Sequence, residues 1–445
     1  MIPRKRLDIS WADLFFALSA FASIQSDESV NQRLQQSWAN DVEVEYNKVL
    51  ACLSVRSGFD ALLTVLDLNP GDEVLVSAIT IPGMLHIIEA HGLVPVPLDI
   101  DMERLSVAAD SMATAVSGRT KMILVAHLFG SRMQMEPIVG FAKTHNLFIV
   151  EDCAQAYQGD AYRGHLKTDV CLFSFGPIKT ATALGGGLLC FQSDSLCETV
   201  RAVQAQWPKQ SRMRFFKRLC KYIVLMLLSY RVSYTLFVGL CSALNCNHDL
   251  IITSSVRGFS GDDFFVKIRK RPCAPLLSLL ERRIRQFDVK RIYERIALAN
   301  DLIALTPLVA RPGSKALCHT HWVFPVVTTE AERLIQYLWQ QGFDATQSGS
   351  SLRVLNSSDH PLGQYPERMP AEAIAVLPKL VYVPLYNGLS TSDIARLADA
   401  LQRFYGDLHC HKQGRFGQDD SEPKCEEFEQ HSASTKAHAT VKARR

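Results

Sequence analysis

The stretch that decides the fold runs from Leu147-Phe-Ile-Val-Glu-Asp-Cys-Ala-Gln-Ala156 to Val170-Cys-Leu-Phe-Ser-Phe-Gly-Pro-Ile-Lys179. Each of its two halves begins with a short apolar run and ends in polar residues. Such runs are typical of strands buried in a parallel sheet, and these sheets bind ligands outside the carboxyl ends of their strands. Asp152 and Lys179 are therefore predicted to lie at a ligand-binding edge of a sheet.

The same alternation continues on both sides of this stretch. Short apolar runs occur at Glu73–Ala78, Val94–Ile100, Met122–Leu128, Leu147–Cys153, Val170–Phe175 and Gly187–Phe191. Segments with helical spacing of apolar residues lie between them, and Pro70-Gly71-Asp72 marks a turn. Strands that alternate with helices predict an α/β large domain with a mostly parallel sheet over residues 40–200.

The remainder of the chain divides into four predicted parts. Residues 1–39 form an N-terminal helical segment, where Ser10 and Asp13 predict a helix cap and a surface helix rather than a secretion signal. Residues 201–275 form a basic and apolar helical insertion. Residues 276–405 form a smaller α+β domain that opens with one long helical segment, Leu276–Leu305, whose arginines we expect to be solvated. The polar residues 406–445 form a disordered tail.

The composition is that of an ordinary globular protein. Of 445 residues, 47% are hydrophobic and 21% are charged, and a formal net charge of +3 gives no reason to expect a nucleic-acid partner. The 12 cysteines include no Cys-x-x-Cys pair, so we expect reduced thiols in a cytoplasmic protein. His409, Cys410 and His411 lie in the polar tail without further partners, and we predict no metal site.

Local features of the deciding stretch suggest a chemistry. Lys179 follows an apolar run across Gly176-Pro177, a position that suits a lysine linked to a cofactor, although lysines at strand ends are often surface residues. Asp152 is a carboxylate at a strand end that can hold a protonated ring nitrogen or, alternatively, cap a helix. Ser57 and Gly58 open a helix, whose free amides and dipole favour a phosphate group.

These features belong to a longer succession of motifs. In order, the motifs are Gly58-x-Asp60-Ala61-Leu62, Pro70-Gly71-Asp72-Glu73-Val74, Val96-x-Leu98-Asp99-Ile100-Asp101, His127-Leu128-Phe129-Gly130, Glu151-Asp152-x-Ala154-Gln155-Ala156, Phe173-Ser174-Phe175-x-x-x-Lys179 and Gly186-Gly187. The succession resembles the DegT/StrS family of sugar aminotransferases, which are fold-type I enzymes that use pyridoxal phosphate (PLP). The resemblance covers residues 40–195 strongly and residues 276–405 faintly.

The resemblance implies a role for each matching residue. Lys179 would carry PLP as a Schiff base and act as the catalytic proton shuttle. Asp152 would pair with the pyridine nitrogen, and Gln155 would contact the ring hydroxyl. The phosphate of PLP would be held by the remaining matches, which are Ser174, Ser57, Gly58 and Phe59.

The sequence departs from the family pattern at several positions. Phe59 stands where the family usually has threonine, which removes a hydroxyl group from the phosphate site. Ile81 stands where an aromatic residue usually covers the PLP ring. The segment through which a neighbouring subunit contacts the phosphate is not recognisable, and Lys270 and Arg271 lie near its expected place. The lysine at position 179 is kept, which implies amino transfer rather than dehydration.

The resemblance also implies the reaction and the partners. We expect a homodimer that transfers an amino group from a donor, glutamate, to a keto sugar, usually linked to a nucleotide, in cell-surface polysaccharide or amino-sugar biosynthesis. Two alternatives stay open at this point. One is a PLP-dependent aminotransferase that acts on a non-sugar carbonyl, and the other is a membrane-associated, non-catalytic scaffold with the PLP fold.

The insertion has an uneven charge pattern. From Arg201 to Lys221 there are seven basic residues and no acidic one, and from Tyr222 to Cys246 the single charge is Arg231. This pattern is typical of helices that lie on an anionic membrane surface, which predicts peripheral attachment through residues 211–246 at the inner face of the membrane. A helical hairpin packed on the protein is the alternative.

Overall fold

A computed structural model describes residues 1–39, 48–256, 259, 261, 263–349, 351–355 and 368–414. The strands of this part of the chain are β1 (Val49–Cys52), β2 (Glu73–Ser77), β3 (Ile79–Thr80), β4 (Val94–Leu98), β5 (Ile100–Asp101), β6 (Ser106–Val107), β7 (Thr120–Ala126), β8 (Phe148–Asp152), β9 (Val170–Ser174), β10 (Gly187–Phe191), β11 (Phe324–Val327), β12 (Arg353–Val354) and β13 (Leu380–Val383). Its helices are α1 (Trp11–Ala22), α2 (Asp27–Ala39), α3 (Val55–Val65), α4 (Pro82–Ala90), α5 (Ala109–Ala115), α6 (Glu136–His145), α7 (Asp194–Ala205), α8 (Arg212–Leu228), α9 (Arg231–Ala243), α10 (His248–Val256), α11 (Phe264–Ile268), α12 (Ala274–Arg285), α13 (Lys290–Leu305), α14 (Ala331–Gln340), α15 (Ala371–Val376) and α16 (Thr391–Gly414).

The centre of the molecule is a seven-stranded sheet in the order β1-β10-β9-β8-β7-β2-β4. Strands β9, β8, β7, β2 and β4 run parallel to one another, whereas β10 is antiparallel to both β9 and β1. Both faces of the sheet are covered, because Leu75 of β2 belongs to one core cluster while Val74 and Val76 belong to another. The predicted α/β fold with a mostly parallel sheet is confirmed.

The sheet brings the ends of four strands to one edge. Cys52 at the end of β1 pairs with Gly187, and Gly187 pairs with Ser174 at the end of β9. Asp152 at the end of β8 pairs with Ala126 at the end of β7. Parallel sheets bind their ligands at this edge, which is where the sequence led us to expect the site.

The C-terminal region packs around a small antiparallel pair, β11 with β13. Helices α13, α14 and α16 share one core cluster with it, through residues such as Leu302, Leu338 and Leu401. The single long helical segment predicted for Leu276–Leu305 is instead two helices, α12 and α13, separated at residues 286–289. Helix α16 continues to Gly414, past the predicted start of the tail at residue 406, and residues 415–445 lie outside the described part of the chain.

Helix α1 begins with the predicted capping box. The Ser10 hydroxyl accepts a hydrogen bond from the backbone N–H of Asp13, and the Asp13 carboxylate accepts one from the backbone N–H of Ser10. One face of α1 is exposed, with Phe15 64% accessible, whereas Leu14 and Ala17 on the other face are buried and pack with α12 and α8. The helix therefore lies at the surface, as predicted, and contributes its apolar face to the core.

Arg283 lies at the junction between α1 and α12. Its Nη1 donates to Asp13 Oδ2 at 2.6 Å, and its Nη2 donates to the carbonyl oxygen of Asp8 at 2.7 Å. Arg283 and Asp13 are only 5% and 3% exposed. The expectation of solvated arginines on this helix therefore holds for the exposed Arg285 but is wrong for Arg283.

Replacement of Arg283 by alanine is expected to destabilise the protein by about 3 kcal/mol, because it leaves the buried Asp13 carboxylate without its nearest cation. Arg285→Ala removes an exposed guanidinium from the same helix and should change the stability by less than about 0.5 kcal/mol. Urea unfolding followed by circular dichroism measures both changes. Equal stabilities of the two variants would contradict the role given to Arg283.

The insertion contains helices α8, α9, α10 and α11. One face of α8 is buried in the core through Phe215, Leu219, Tyr222 and Met226. In the described part of the chain no individual helix has the length and apolarity to cross a membrane, but the pair Arg212–Leu228 and Arg231–Ala243, bent by 96° at its junction, meets both criteria together.

Candidate active site

A tight loop after β9 carries Lys179 at the ligand-binding edge. The loop is closed by backbone hydrogen bonds, from the amide of Phe175 to the carbonyl of Gly186 at 3.1 Å and from the amide of Ala183 to the carbonyl of Phe175 at 3.0 Å. At Gly187 a Cβ atom would lie 2.7 Å from the backbone nitrogen of Val55. Glycine is therefore required for β10 to begin against the first turn of α3, and this close packing holds the loop in place.

The Lys179 amine lies in a buried environment. Its Nζ is 4.4 Å from the centroid of the Trp322 ring. Burial lowers the pKa of Lys179 to about 8, with the Asp152 carboxylate opposing this shift and the Arg56 cation adding to it. An amine with this pKa is partly neutral at physiological pH, and a neutral lysine amine is a nucleophile for carbonyl carbons.

Asp152 presents a carboxylate that is incompletely satisfied by the protein. Its Oδ1 accepts a hydrogen bond from the amide of Ala154 at 2.9 Å, and its side chain is almost fully buried. Burial raises the pKa of Asp152, while the nearby Lys179 and Arg56 cations act in the opposite direction. A desolvated carboxylate in this state favours a cationic partner such as a protonated pyridine nitrogen.

The neighbouring Glu151 anchors the end of β8 through a dense hydrogen-bond network. His127 Nδ1 accepts from the backbone of Met133 at 3.2 Å, so its Nε2 carries the proton and donates to Glu151 at 2.8 Å. Burial by itself raises the pKa of Glu151, but the contacts with His127, Tyr162 and the backbone of His165 lower it to about 2. Glu151 also accepts hydrogen bonds from Cys153, Thr168 and Cys171.

The cluster of His127, Glu151 and Cys153 is close enough in space to hold a metal ion. The Glu151 oxygens are already occupied by protein donors, and His127 uses both of its ring nitrogens. We therefore assign the cluster to holding the backbone of β8, so that Asp152, the next residue, is fixed at the strand end.

Gln155 and Ser174 both lie near the carboxyl ends of strands in the central sheet, after β8 and at the end of β9. The amide oxygen of Gln155 accepts from the backbone N–H of Phe129 at 2.9 Å, which leaves its NH₂ group to donate elsewhere. A Cβ built on Gly176 would lie 3.6 Å from the Ser174 hydroxyl and 3.9 Å from Cγ of Lys179, so Ser174 stands beside the lysine. Ile81 precedes the first turn of α4, and its side chain packs between two core clusters.

Helix α3 begins one turn earlier than the sequence indicated. Ser54 caps the helix, and its hydroxyl accepts from the amide of Ser57 at 3.2 Å. The amide of Gly58 donates to the carbonyl of Ser54 at 3.2 Å, within the helix, and Phe59 is completely buried in the core. The amides of Gly58 and Phe59 therefore lie inside the helix rather than at its free end, and Gly58 serves close packing against Leu189.

Arg56 is a site residue that the sequence reasoning missed. It lies in the first turn of α3, and its guanidinium packs against Gly83, where a Cβ would come within 2.8 Å of Nε. Burial lowers the pKa of Arg56, which the Asp152 carboxylate partly opposes. A cation in the first turn of a helix interacts unfavourably with the helix dipole. This unfavourable position is the feature of the sequence that could have pointed to Arg56 as a site residue. Arg271, by contrast, donates to the carbonyl of Trp207.

A cavity of about 280 Å³ opens beside Lys179. Its lining includes the cationic side chains Lys5, Arg6, Arg291 and Arg295, with Asp8 as the acidic exception. Lys5 lies 4.1 Å from the centroid of the same Trp322 ring that Lys179 contacts. No local pattern in the sequence connected Lys5 to the site. The excess of cations suits an anionic substrate.

The fold and this arrangement of residues define a fold-type I, PLP-dependent aminotransferase. Residues 26–228 match the sequence model of the DegT/DnrJ/EryC1/StrS aminotransferase family. This match over residues 26–228 confirms the resemblance that the motifs suggested.

Similar proteins support the identification of the chain as an aminotransferase. The chain is 25% identical over 401 residues to the GDP-perosamine synthase of Escherichia coli O157:H7, which covers 85% of this chain and 95% of that protein. It is 31% identical over 170 residues to the GDP-perosamine synthase of Caulobacter vibrioides, or 38% of this chain and 46% of that one. The solved structure of the aminotransferase TlmJ from Streptoalloteichus hindustanus has the same fold, with a TM-score of 0.65, 18% identity and coverage of 92% of this chain and 100% of that chain.

Proposed function

We propose that this enzyme transfers an amino group from glutamate to a nucleotide-linked keto sugar, in the biosynthesis of a cell-surface polysaccharide or an amino sugar. The observation that carries the proposal is the placement of Lys179 between the Asp152 carboxylate and a cavity rich in cations. The name of the Escherichia coli relative supports a nucleotide-linked sugar, and the cationic lining supports its phosphate groups.

The residues of the site fit PLP, and we propose a task for each of them. The bound cofactor supplies an electron sink for the bond that breaks at the substrate carbon. Lys179 holds the cofactor and moves a proton at its Nζ. Asp152 holds a proton on the ring nitrogen with the oxygen that Ala154 does not use. Gln155 donates from its NH₂ group to the ring hydroxyl.

For the phosphate we propose Arg56 and Ser174 as the principal contacts. The helix N-terminus at Ser54–Ser57 contributes its dipole, while the amides of Gly58 and Phe59 are already used within α3. A direct guanidinium contact would compensate for the hydroxyl group that is lost at position 59.

An absorption assay tests the function. Purified protein with PLP should show a band near about 410–430 nm that moves to about 330 nm with glutamate. A nucleotide-linked keto sugar should then restore the first band at least tenfold faster than ketones of similar size without a nucleotide. Restoration by non-sugar ketones alone would favour the non-sugar acceptor. A wild-type protein without the first band would favour the non-catalytic scaffold.

Arg56→Gln is expected to raise the pKa of Lys179, because it removes a cation that disfavours the charged amine. The rate at which the PLP band appears should then reach half its maximum at a higher pH than in the wild type, whose midpoint is expected near 8. Stopped-flow mixing with PLP between pH 6 and 10 measures the midpoint. Arg271→Gln, which removes a guanidinium bound to the carbonyl of Trp207, should leave this midpoint unchanged. An equal shift of the midpoint in both variants would contradict the effect of Arg56 on Lys179.

We further propose a division of tasks along the chain. Residues 40–200 bind the cofactor, residues 276–405 close the substrate cavity through Arg291, Trp322 and Leu385, and residues 1–39 complete its wall through Lys5. The insertion, 201–275, attaches the protein to a membrane. We propose that two such chains form the working homodimer, which light scattering of the purified protein tests directly.

The exposed face of the insertion supports attachment of a cytoplasmic enzyme to the inner face of the membrane. Val232, Leu236 and Leu240 recur every fourth residue along α9, with exposures of 74%, 70% and 59%. The exposed cations Lys217 and Lys221 lie on the adjoining helix α8. An apolar stripe beside cations is the pattern of helices that lie on anionic lipid surfaces.

Co-sedimentation with vesicles tests the attachment. The wild type should sediment with vesicles that contain anionic lipid and should be released by high salt. Leu236→Ser combined with Leu240→Ser should reduce binding at least fivefold, whereas Leu308→Ser, at a position 57% exposed outside the insertion, should not. Binding that is equal in all three proteins, or absent in the wild type, would contradict the proposal.

A further inference from the structure

The insertion forms one wall of an apolar chamber of about 130 Å³, partly open to solvent, near the catalytic cavity. Helices α8, α9 and α10 line one side of it through Leu228, Phe237 and Ile252. Strands β11 and β13 line the other side through Phe324 and Val383. Apolar side chains dominate this lining, in contrast to the cationic cavity next to it.

The chamber and the catalytic cavity share a wall. Both are lined by Lys5, Leu7, Ile178, Trp322 and Leu385. Ile178 directly precedes Lys179 in the chain, and its carbonyl accepts a hydrogen bond from Trp322 Nε1 at 2.9 Å. Because Lys179 contacts the same Trp322 ring, the chamber lies next to the lysine.

We propose that the chamber binds an apolar group of the acceptor, about the size of a six-carbon ring. An engineered cavity of roughly 150 Å³ lined by Leu, Ile and Phe stays dry and binds benzene, so the volume is sufficient. The anionic part of the same molecule would lie among Lys5, Arg291 and Arg295 in the neighbouring cavity. This inference rests on the proposed aminotransferase function, and it assigns the group to the acceptor because glutamate carries no apolar group of this size.

The residues that line the chamber and those that hold the cofactor come from different parts of the chain, so the chamber can set the specificity for the acceptor. Leu228, Phe237 and Ile252 all belong to the insertion, whereas Lys179, Asp152 and their supporting strands lie outside it. Changes in the insertion can therefore alter which acceptor fits without altering the residues that hold the cofactor. Helix α9 exposes Leu236 on its outer side. In this proposal one face of α9 contacts the membrane and the other lines the chamber.

Binding of benzene to the full-length protein in the presence of PLP tests the chamber directly. Ligand-observed NMR should show binding to the wild type and equally to Leu227→Trp, because Leu227 is 50% exposed. Leu228→Trp should fill the chamber and weaken benzene binding at least tenfold, and Ile252→Phe, on another helix, should do the same. Absence of binding to the wild type, or equal binding to all four proteins, would overturn the proposal.

The acceptor half-reaction tests the assignment of the group. With two keto sugars that differ by one phenyl substituent, the wild type should prefer the substituted sugar at least tenfold in kcat/KM, and Leu228→Trp should lose this preference. A preference that appears instead in the donor half-reaction, for phenylalanine over glutamate, would overturn the assignment to the acceptor. Benzene binding requires no amino transfer, so failure of the glutamate-dependent band shift would refute the proposed function separately.

Discussion

Lys179→Ala is expected to lower kcat for amino transfer by at least about 10³-fold and to remove the absorption band of the bound cofactor. The structure gives two reasons for so large an effect. The lysine is held by a loop that packs against α3 through Gly187, and its lowered pKa supplies a neutral amine near physiological pH. Alanine offers neither the covalent attachment nor a group that moves the proton. Absorption spectra and single-turnover assays with glutamate measure both losses.

Lys5 provides a matched control for this prediction. Both lysines lie against the Trp322 ring, at 4.1 Å for Lys5 and 4.4 Å for Lys179. Burial lowers the pKa of Lys5 as well, so proximity and pKa do not by themselves distinguish the two amines. Lys5→Ala should keep the cofactor band, and borohydride reduction of the wild type should fix PLP to the peptide that contains Lys179. Recovery of the label on Lys5 would refute the assignment.

The strands of the sheet and the residues at their ends could be predicted from the sequence because both depend on local patterns of apolar and polar residues. Strand β8 combines the apolar run that makes it a buried strand with the Asp152 carboxylate that ends it, so fold and site were visible in the same residues. The capping box at Ser10 and Asp13 was likewise local. Positions at strand ends follow from the alternation of strands and helices, which explains why the sequence alone placed Asp152 and Lys179 near the ends of β8 and β9.

Contacts between distant residues could not be predicted in this way. Lys5 contacts Trp322 across 317 residues of chain, and Arg283 contacts Asp13 across 270 residues. A sequence shows that such residues are charged or aromatic, but their partners depend on how the helices pack. The start of α3 was misjudged for a local reason, since Ser54 and Ser57 are both good helix caps and the structure uses the first.

Asp152→Asn is expected to lower the rate of amino transfer by about 10²- to 10⁴-fold while the cofactor stays attached. Asparagine keeps the size of the side chain and can still accept a hydrogen bond from Ala154, but it carries no negative charge. Without that charge the ring nitrogen loses its proton and the cofactor withdraws electrons less strongly. The absorption band with PLP should therefore persist, and its shift with glutamate should become slow.

Asp152→Asn should also move the Lys179 titration in the direction opposite to Arg56→Gln. The Asp152 carboxylate raises the pKa of Lys179 and the Arg56 cation lowers it, so the midpoint for attachment of PLP should fall in the first variant and rise in the second. Asp169→Asn is the control, because Asp169 accepts from the amide of Ile149 at the opposite edge of the sheet and should leave the rate within about twofold. Since a general loss of packing would move both midpoints in the same direction, opposite shifts would show that the two charges act on the lysine itself.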